Sequence, residues 1–440
     1  MTPGARLQTA IDLLAGILAS PDTPAEQVMN DGLRARRYAG SKDRAAISST
    51  VYGVLRRRAQ IDWWLGRSMA DPPDARNRVL TFTQIDSGLD AEALASLCDG
   101  TDYGPATMSA RETRVAVELT GVSFDKSCQP PSTRANIPDW LWPVWSESLG
   151  DDAETEAACL NDPAGVDLRV NTLKAERDAV IDELSEYGIP VVSTPISPVG
   201  LRLTDRKPLK GLAAYREGRI EIQDEGSQIA ARLCDAKPGM KIVDFCAGAG
   251  GKSLQLAADL QNKGRIIACD TDKRRLDEAA LRLKRAGAFC VERRLLKSER
   301  DSWVKQRAVR HNGGFDRVLV DAPCSGSGTW RRRPDDRWRL KPETLERFGD
   351  LQYGICDSAA RLVRPGGRLI YVTCSLFRQE NEAIVEKFLA GRSDFHTVPV
   401  ANVWRETIGG KCPVSGKYLQ LSPGRTGTDG FFVAILERRI

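Results

Sequence analysis

A chain of 440 residues with 41% apolar and 28% charged side chains is too long for one core and predicts a multidomain soluble protein. No apolar run approaches a membrane span, and the first ten residues lack the charged and apolar regions of a secretory signal, so a cytoplasmic chain with no membrane attachment is expected. Eleven cysteines with no Cys-x-x-Cys pair, and only His311 and His396, argue for reduced thiols and against both a metal site and histidine-based catalysis.

The net charge of +5 is uneven, with 16 basic and 18 acidic side chains in residues 1–150 and the positive excess after them. Arginines cluster at Arg34, Arg36 and Arg37, at Arg56 to Arg58, and at Arg331 to Arg333 with Arg337 and Arg339. One such cluster is usually a solvated face, but three of them, the last beside Trp330 and Trp338, favour a polyanion with stackable bases.

Helical spacing of apolar residues from Leu7 to Leu18 and from Arg44 to Leu65 predicts an N-terminal all-α bundle, interrupted at Pro72-Pro73. Residues 86–135 are acidic and poorly patterned, and the Trp-rich stretch Pro138 to Trp145 reads as a short aromatic helix whose indoles pack. Strands at Leu168–Thr172, near Val191, near Leu201 and at Arg219–Gln223, with helices at Arg177–Tyr187 and Leu209–Tyr215, form a small α+β module. From Lys241 strands alternate with helices: strands Lys241–Cys246, Arg265–Asp270, Phe315–Asp321 and Arg368–Cys374 precede helices starting at Lys252, Lys273, Pro342 and Glu380. That alternation means a C-terminal α/β Rossmann-like domain, with Gly430–Glu437 as a late edge strand. The expected divisions are 1–135, 136–230 and 231–440.

Cys324 and Cys374 each stand where a buried-type apolar run ends, which places both thiols at the carboxyl edge of one sheet, where open α/β folds hold their ligands. A free cysteine is usually apolar filler, and Cys98, Cys128, Cys159, Cys234, Cys269, Cys290, Cys356 and Cys412 take that reading. Cys324 and Cys374 do not, because Pro323 restricts the turn around Cys324 while Gly326 and Gly328 loosen it, an arrangement no core thiol needs.

The turn after the first strand of the C-terminal domain, Asp244-Phe-Cys-Ala-Gly-Ala-Gly-Gly-Lys-Ser253, is glycine-rich but fits neither phosphate motif. A Walker loop needs glycine where Cys246 stands, and a dinucleotide fingerprint needs it where Ser253 stands. With Asp270 ending the next strand as a ribose acceptor, S-adenosylmethionine fits best.

The combination of Asp-Phe-Cys-Ala-Gly-Ala-Gly-Gly-Lys (244–252), Asp-Ala-Pro-Cys-Ser-Gly-Ser-Gly (321–328), Thr-Cys-Ser (373–375) with Glu380-Asn-Glu382, and Asp-Gly-Phe-Phe (429–432) resembles the RsmB/Sun/Fmu family of RNA cytosine-5 methyltransferases. Leu-Arg-Val-Asn-Thr-Leu-Lys (168–174) and Ile-Gln-Asp-Glu-Gly-Ser-Gln (222–228) extend it, and the helical start is similar to a NusB-like RNA-binding domain. The resemblance implies a class I methyltransferase in which Cys374 is the nucleophile, Cys324 assists release of the product, and Asp321 contacts the cytosine near the methyl group. It also implies that Cys246, Ala247, Gly248, Ala249, Gly250, Gly251 and Lys252, with Asp270, Arg275 and Asp321, surround S-adenosylmethionine. Arg169, Asn171, Arg331, Arg332 and Arg333 are expected to meet RNA, most simply small-subunit (16S) ribosomal RNA bound by a monomer.

Two departures stand out. The family's Ala-Pro is Gly248-Ala249 here, and the adenine-binding Asp expected after the third strand is replaced by Arg294-Leu295-Leu296, with Glu292 as candidate substitute. The rivals are the same chemistry on transfer RNA, a DNA-type enzyme attacking with the Pro-Cys thiol, and a non-catalytic ribosome-assembly factor.

Overall fold

The computed structural model describes residues 1–68, 72–205, 207–311 and 314–440; the side chains of residues 309–311, His311 among them, lie outside the description. It divides into two compact units, one of Met1–Pro163 with Trp330–Lys341, the other of Ala164–Thr329 with Pro342–Ile440. These limits differ from the divisions at 135 and 230: the helices Trp142–Leu149 and Ala153–Asn161 go with the N-terminal helices, and so does a twelve-residue excursion from the C-terminal domain.

The first unit is helical, beginning with Pro3–Ala19, Ala25–Ala35, Ser41–Arg56 and Arg58–Ser68, around a core that includes Leu14, Ile47, Val51, Val54, Ile61 and Val79. Short helices at Ala91–Ser96, Ala110–Glu118 and Pro131–Ala135 occupy the poorly patterned stretch, the first two opened by side-chain caps from Asp90 and Ser109. The aromatic helix starts at Trp142 rather than Pro138, because Pro143 is tolerated only in a first turn, where its missing N–H is not needed. Trp145 is fully buried, stacked on Trp330 at 5.7 Å, and its indole N–H donates to Ala153 O at 2.8 Å.

The excursion corrects the reading of the third arginine cluster. Trp330 is buried, and Arg337 beside it donates to Asn136 O, Leu160 O and Asn161 Oδ1. Burial without a carboxylate partner pushes the Arg337 guanidinium down to about 9. Trp338 donates to Leu55 O, and Arg339 binds Asp336 and the carbonyls of Pro21 and Asp22. These side chains hold the helical unit together, so they are not free to stack on bases or meet phosphates. The same holds for Arg58, which pairs with Asp62 and lies over Trp338.

The second unit holds two sheets. Strands β1 (Asp167–Val170), β2 (Val191–Ser193), β3 (Gly200–Leu203) and β4 (Ile220–Ile222) form an antiparallel sheet in the order β2-β3-β1-β4, with the helix Arg177–Glu186 packed through Val180 and Leu184. The larger sheet contains β5 (Lys241–Asp244), β6 (Arg265–Asp270), β7 (Val291–Leu295), β8 (Phe315–Asp321), β9 (Val363–Thr373), β10 (Phe395–Val398), β11 (Leu419–Leu421) and β12 (Phe431–Arg438). Its order is β10-β12-β9-β8-β5-β6-β7, with β11 also on β12. Strands β5 to β9 run parallel and β12 antiparallel to β9.

Helices cover both faces of this sheet, which is why its strands read as unbroken apolar runs. Val318, Val320, Leu369 and Tyr371 enter the core on one face, and Leu319, Ile370 and Val372 enter the other. β12 is not an edge strand as expected: it lies between β9 on one side and β10 and β11 on the other. Because chain order reverses between β5 and β8, the crevice beyond their carboxyl ends is the topological switch point where such folds bind ligands.

Candidate active site

The glycine-rich turn between β5 and the helix Gly251–Asp259 occupies that crevice. Gly248 (φ 53°) and Gly250 (φ 78°) adopt the left-handed region that favours glycine, and a Cβ on Gly248 would displace the Arg275 guanidinium, which lies within 2.6 Å of that position. Asp270, at the end of β6, accepts the Gly248 N–H at 2.7 Å and the Asp272 N–H at 2.8 Å, one on each carboxylate oxygen. Lone pairs remain on both oxygens. Arg282 grips the far side of the turn through Ala249 O, and Arg169 grips Gly251 O, each at 2.8 Å.

Arg169 and Asn171 were expected to meet RNA, and this is corrected. Arg169 is buried, donates to Gln223 and Gly251, and burial pushes its guanidinium down to about 10. Asn171 is buried too, donating to Gly218 O and Ala286 O at 2.8 Å. Both join the small sheet to the framework under the turn.

Asp321 at the end of β8 accepts Lys252 Nζ at 2.7 Å, and the ammonium also faces the Phe431 ring. Burial disfavours the Lys252 charge, but the neighbouring carboxylates, Asp321 first and Asp244 after it, more than offset this and the lysine stays protonated. Three residues on, Cys324 lies 3.4 Å, Sγ to Sγ, from Cys374 at the end of β9. The hydrogen bond to Cys374 and burial together push the Cys324 thiol up, keeping its proton on. Cys246 remains a thiol for a simpler reason, its burial, and packs against the sheet core. Gly328 N–H donates to Cys374 O at 2.9 Å, and Gly328 O accepts Gly430 N–H at 2.8 Å. A Cβ on either glycine would strike the other's backbone, so the Asp-Gly-Phe-Phe motif seats the Cys324 loop against β12.

Sequence reasoning gave no role to Glu380, Asn381, Ser325, Ser375 or Gln352, which form a buried network behind the thiols. Glu380 and Asn381 had a signal, lying in a quoted motif; Gln352, inside an ordinary helix, had none. Glu292 does not replace the missing adenine-binding carboxylate. It pairs with Ile267 in the ladder, three residues before the level of Asp270, and it is held by Arg265 at 2.8 Å toward the opposite edge. At about 3.3 Å per residue, it is roughly 10 Å from where adenine binding would need it. Of the remaining expected RNA contacts, Arg333 is exposed and Arg331 and Arg332 are half-buried. Among cysteines read as core, Cys98, Cys234, Cys269 and Cys356 are buried, but Cys128 is exposed.

Asp244, fully buried below the turn, accepts Ser253 Oγ on Oδ2, while Oδ1 has no partner. Burial, reinforced by Asp321 and Asp270 against the Ser253 bond and Lys252, pushes its carboxyl up to about 7. A raised acid keeps its proton longer folded than unfolded, so its stabilising contribution is full below the ordinary carboxylate range and is lost as pH rises through about 7. Asp244→Asn is therefore expected to melt at or above the wild-type temperature at pH 8.5, with the advantage shrinking toward pH 5; thermal melts at both pH values check it. A wild type more stable at pH 8.5 would contradict this.

The donor set fits a nucleoside without phosphates. Lys252, which a phosphate loop would aim at its ligand, is committed to Asp321, whereas Asp270 offers free lone pairs at the sheet edge to ribose hydroxyls. A doubly wound sheet with this turn at its switch point defines an S-adenosylmethionine-dependent methyltransferase. A family model described as 16S rRNA methyltransferase RsmB/F matches residues 231–437, and one for the RsmF/B-like ferredoxin-like domain matches residues 137–210. The chain belongs to the ribosomal RNA small subunit methyltransferase B family.

Relatives of that name include one from Xylella fastidiosa strain Temecula1, 32% identical over 91% of this chain and 90% of its own. Another, from Synechocystis, is named a probable member and is 31% identical over 90% of this chain and 91% of its own. Among solved structures, PH0851 is 27% identical with a TM-score of 0.77, covering 100% of this chain and 99% of its own. A methyltransferase homolog from Pyrococcus horikoshii is 27% identical with a TM-score of 0.58, covering 70% of this chain and 97% of its own.

Proposed function

We propose that the protein methylates carbon-5 of a cytosine in small-subunit ribosomal RNA through a covalent cysteine adduct. The observation that carries this is the pair of thiols, Cys324 and Cys374, 3.4 Å apart at the ends of adjacent parallel strands and beside the Lys252–Asp321 ion pair. Carbon-5 of cytosine is a poor nucleophile until a thiolate adds to carbon-6, and cysteine is the side chain suited to that attack.

The target base leaves its stack and enters the crevice. Cys374 adds to carbon-6 as thiolate, while Asp321, steadied by Lys252, accepts a hydrogen bond from the exocyclic amino group of the ring. Asp270 and the 246–252 turn hold S-adenosylmethionine, which when bound supplies the electrophilic methyl group. A water takes the carbon-5 proton, the electrons of that bond re-form the carbon-5–carbon-6 double bond and expel Cys374 as thiolate, and Cys324, still a thiol, eases the departure by donating a hydrogen bond to the leaving sulfur. The helical N-terminal part and Arg331 to Arg333 serve to bind RNA, and the names of the relatives favour ribosomal over transfer RNA.

Label from methyl-tritiated S-adenosylmethionine is expected in a small-subunit ribosomal RNA transcript and not in bulk transfer RNA. Label in transfer RNA alone would move the activity to the rival substrate, and label in neither, with cofactor bound, would favour an assembly factor.

A further inference from the structure

Glu380 is a fully buried carboxylate with four donors. Ser325 N–H (2.9 Å) and Gln352 Nε2 (3.0 Å) reach Oε1, while the hydroxyls of Ser325 and Ser375 reach Oε2. Gln352 Nε2 also donates to Pro323 O at 3.0 Å, so the residues on both sides of Cys324 are fixed through this one group. Asn381, equally buried, does the same for the other thiol: it accepts Thr373 Oγ1 and donates to Ser375 O at 2.9 Å, spanning Cys374. Burying a carboxylate is costly unless its oxygens are satisfied. Three of the four donors to Glu380 belong to the Cys324 side, whereas Cys374 is also held by Asn381 and by its own strand.

We infer that Glu380 and Asn381 are positioning residues with separate duties, Glu380 aligning Cys324 for release of the product and Asn381 aligning Cys374 for attack. This rests on the proposed covalent mechanism. Glu380→Ala and Gln352→Ala should then behave like loss of Cys324: turnover falls by about 10- to 100-fold, while a denaturant-resistant adduct with a small-subunit ribosomal RNA transcript accumulates only when S-adenosylmethionine is present. Asn381→Ala should lose turnover and adduct together. Glu380→Gln, whose amide oxygen can keep the Ser325 N–H and Gln352 while its NH2 turns to the two hydroxyls, should recover part of the turnover.

The experiment compares adduct on denaturing gels with methyl incorporation, in full-length variants whose cofactor affinity by calorimetry matches wild type. Where Glu380→Ala fails that affinity control, Gln352→Ala and Glu380→Gln decide. Cys324→Ala is the reference: if it forms no adduct, the assignment of attack to Cys374 and of release to Cys324 falls. If it does, while Gln352→Ala and the Glu380 variants lose adduct in step with turnover or turn over like wild type, only the division of duties is overturned.

Discussion

Cys374→Ala is expected to abolish methyl transfer and to form no covalent RNA complex, whereas Cys324→Ala should form a complex that persists in denaturant and does not turn over. The difference follows from the site's charges. Cys324 is held as a thiol by its hydrogen bond to Cys374 and by burial, which suits a proton donor and not an attacking sulfur. Gels of labelled RNA with each variant read this out. An adduct with Cys374→Ala and none with Cys324→Ala would reverse the two roles and restore the DNA-type order of attack. Two thiols acting only as packing would instead give modest destabilisation from either change.

Asp270→Ala should weaken S-adenosylmethionine binding severely while leaving RNA affinity nearly unchanged. Two charge-assisted hydrogen bonds to ribose are together worth roughly 2–4 kcal/mol, or about 30- to 1,000-fold in dissociation constant. The same change frees the Gly248 and Asp272 N–H groups that now converge on the carboxylate, so the turn also loses its anchor. Calorimetric titration giving equal affinity for both proteins would mean that the cofactor lies elsewhere.

The edge of the large sheet was legible in the chain because its signals are local: an apolar run ends, a glycine turn follows, and the next side chain faces the crevice. Cys324, Cys374, Asp270 and the 246–252 turn were reachable that way, and Asp321 through the resemblance. What depended on pairing between distant strands was not. β12 has the composition of an edge strand, but its register against β9 and its cover by β10 and β11 decide its place. Glu292 looked able to reach adenine until the β6–β7 register set it three residues too early. Arg337, Arg339 and Trp330 carry the composition of an RNA-binding patch, and only their bonds to distant helices show that they are internal. Arg169 and Asn171 misled for a related reason, since a buried amide or guanidinium holding backbone carbonyls is indistinguishable in sequence from one awaiting a ligand.

The most direct measurement is the identity of the methylated nucleoside. Small-subunit ribosomal RNA treated with the protein and S-adenosylmethionine would be digested and its nucleosides separated by mass spectrometry, with bisulfite sequencing locating the site. The expected product is 5-methylcytidine at one position, lost with Cys374→Ala. Methyl on ribose, on the exocyclic amino group or on a purine would contradict the covalent mechanism, since none of those targets needs a thiolate at carbon-6.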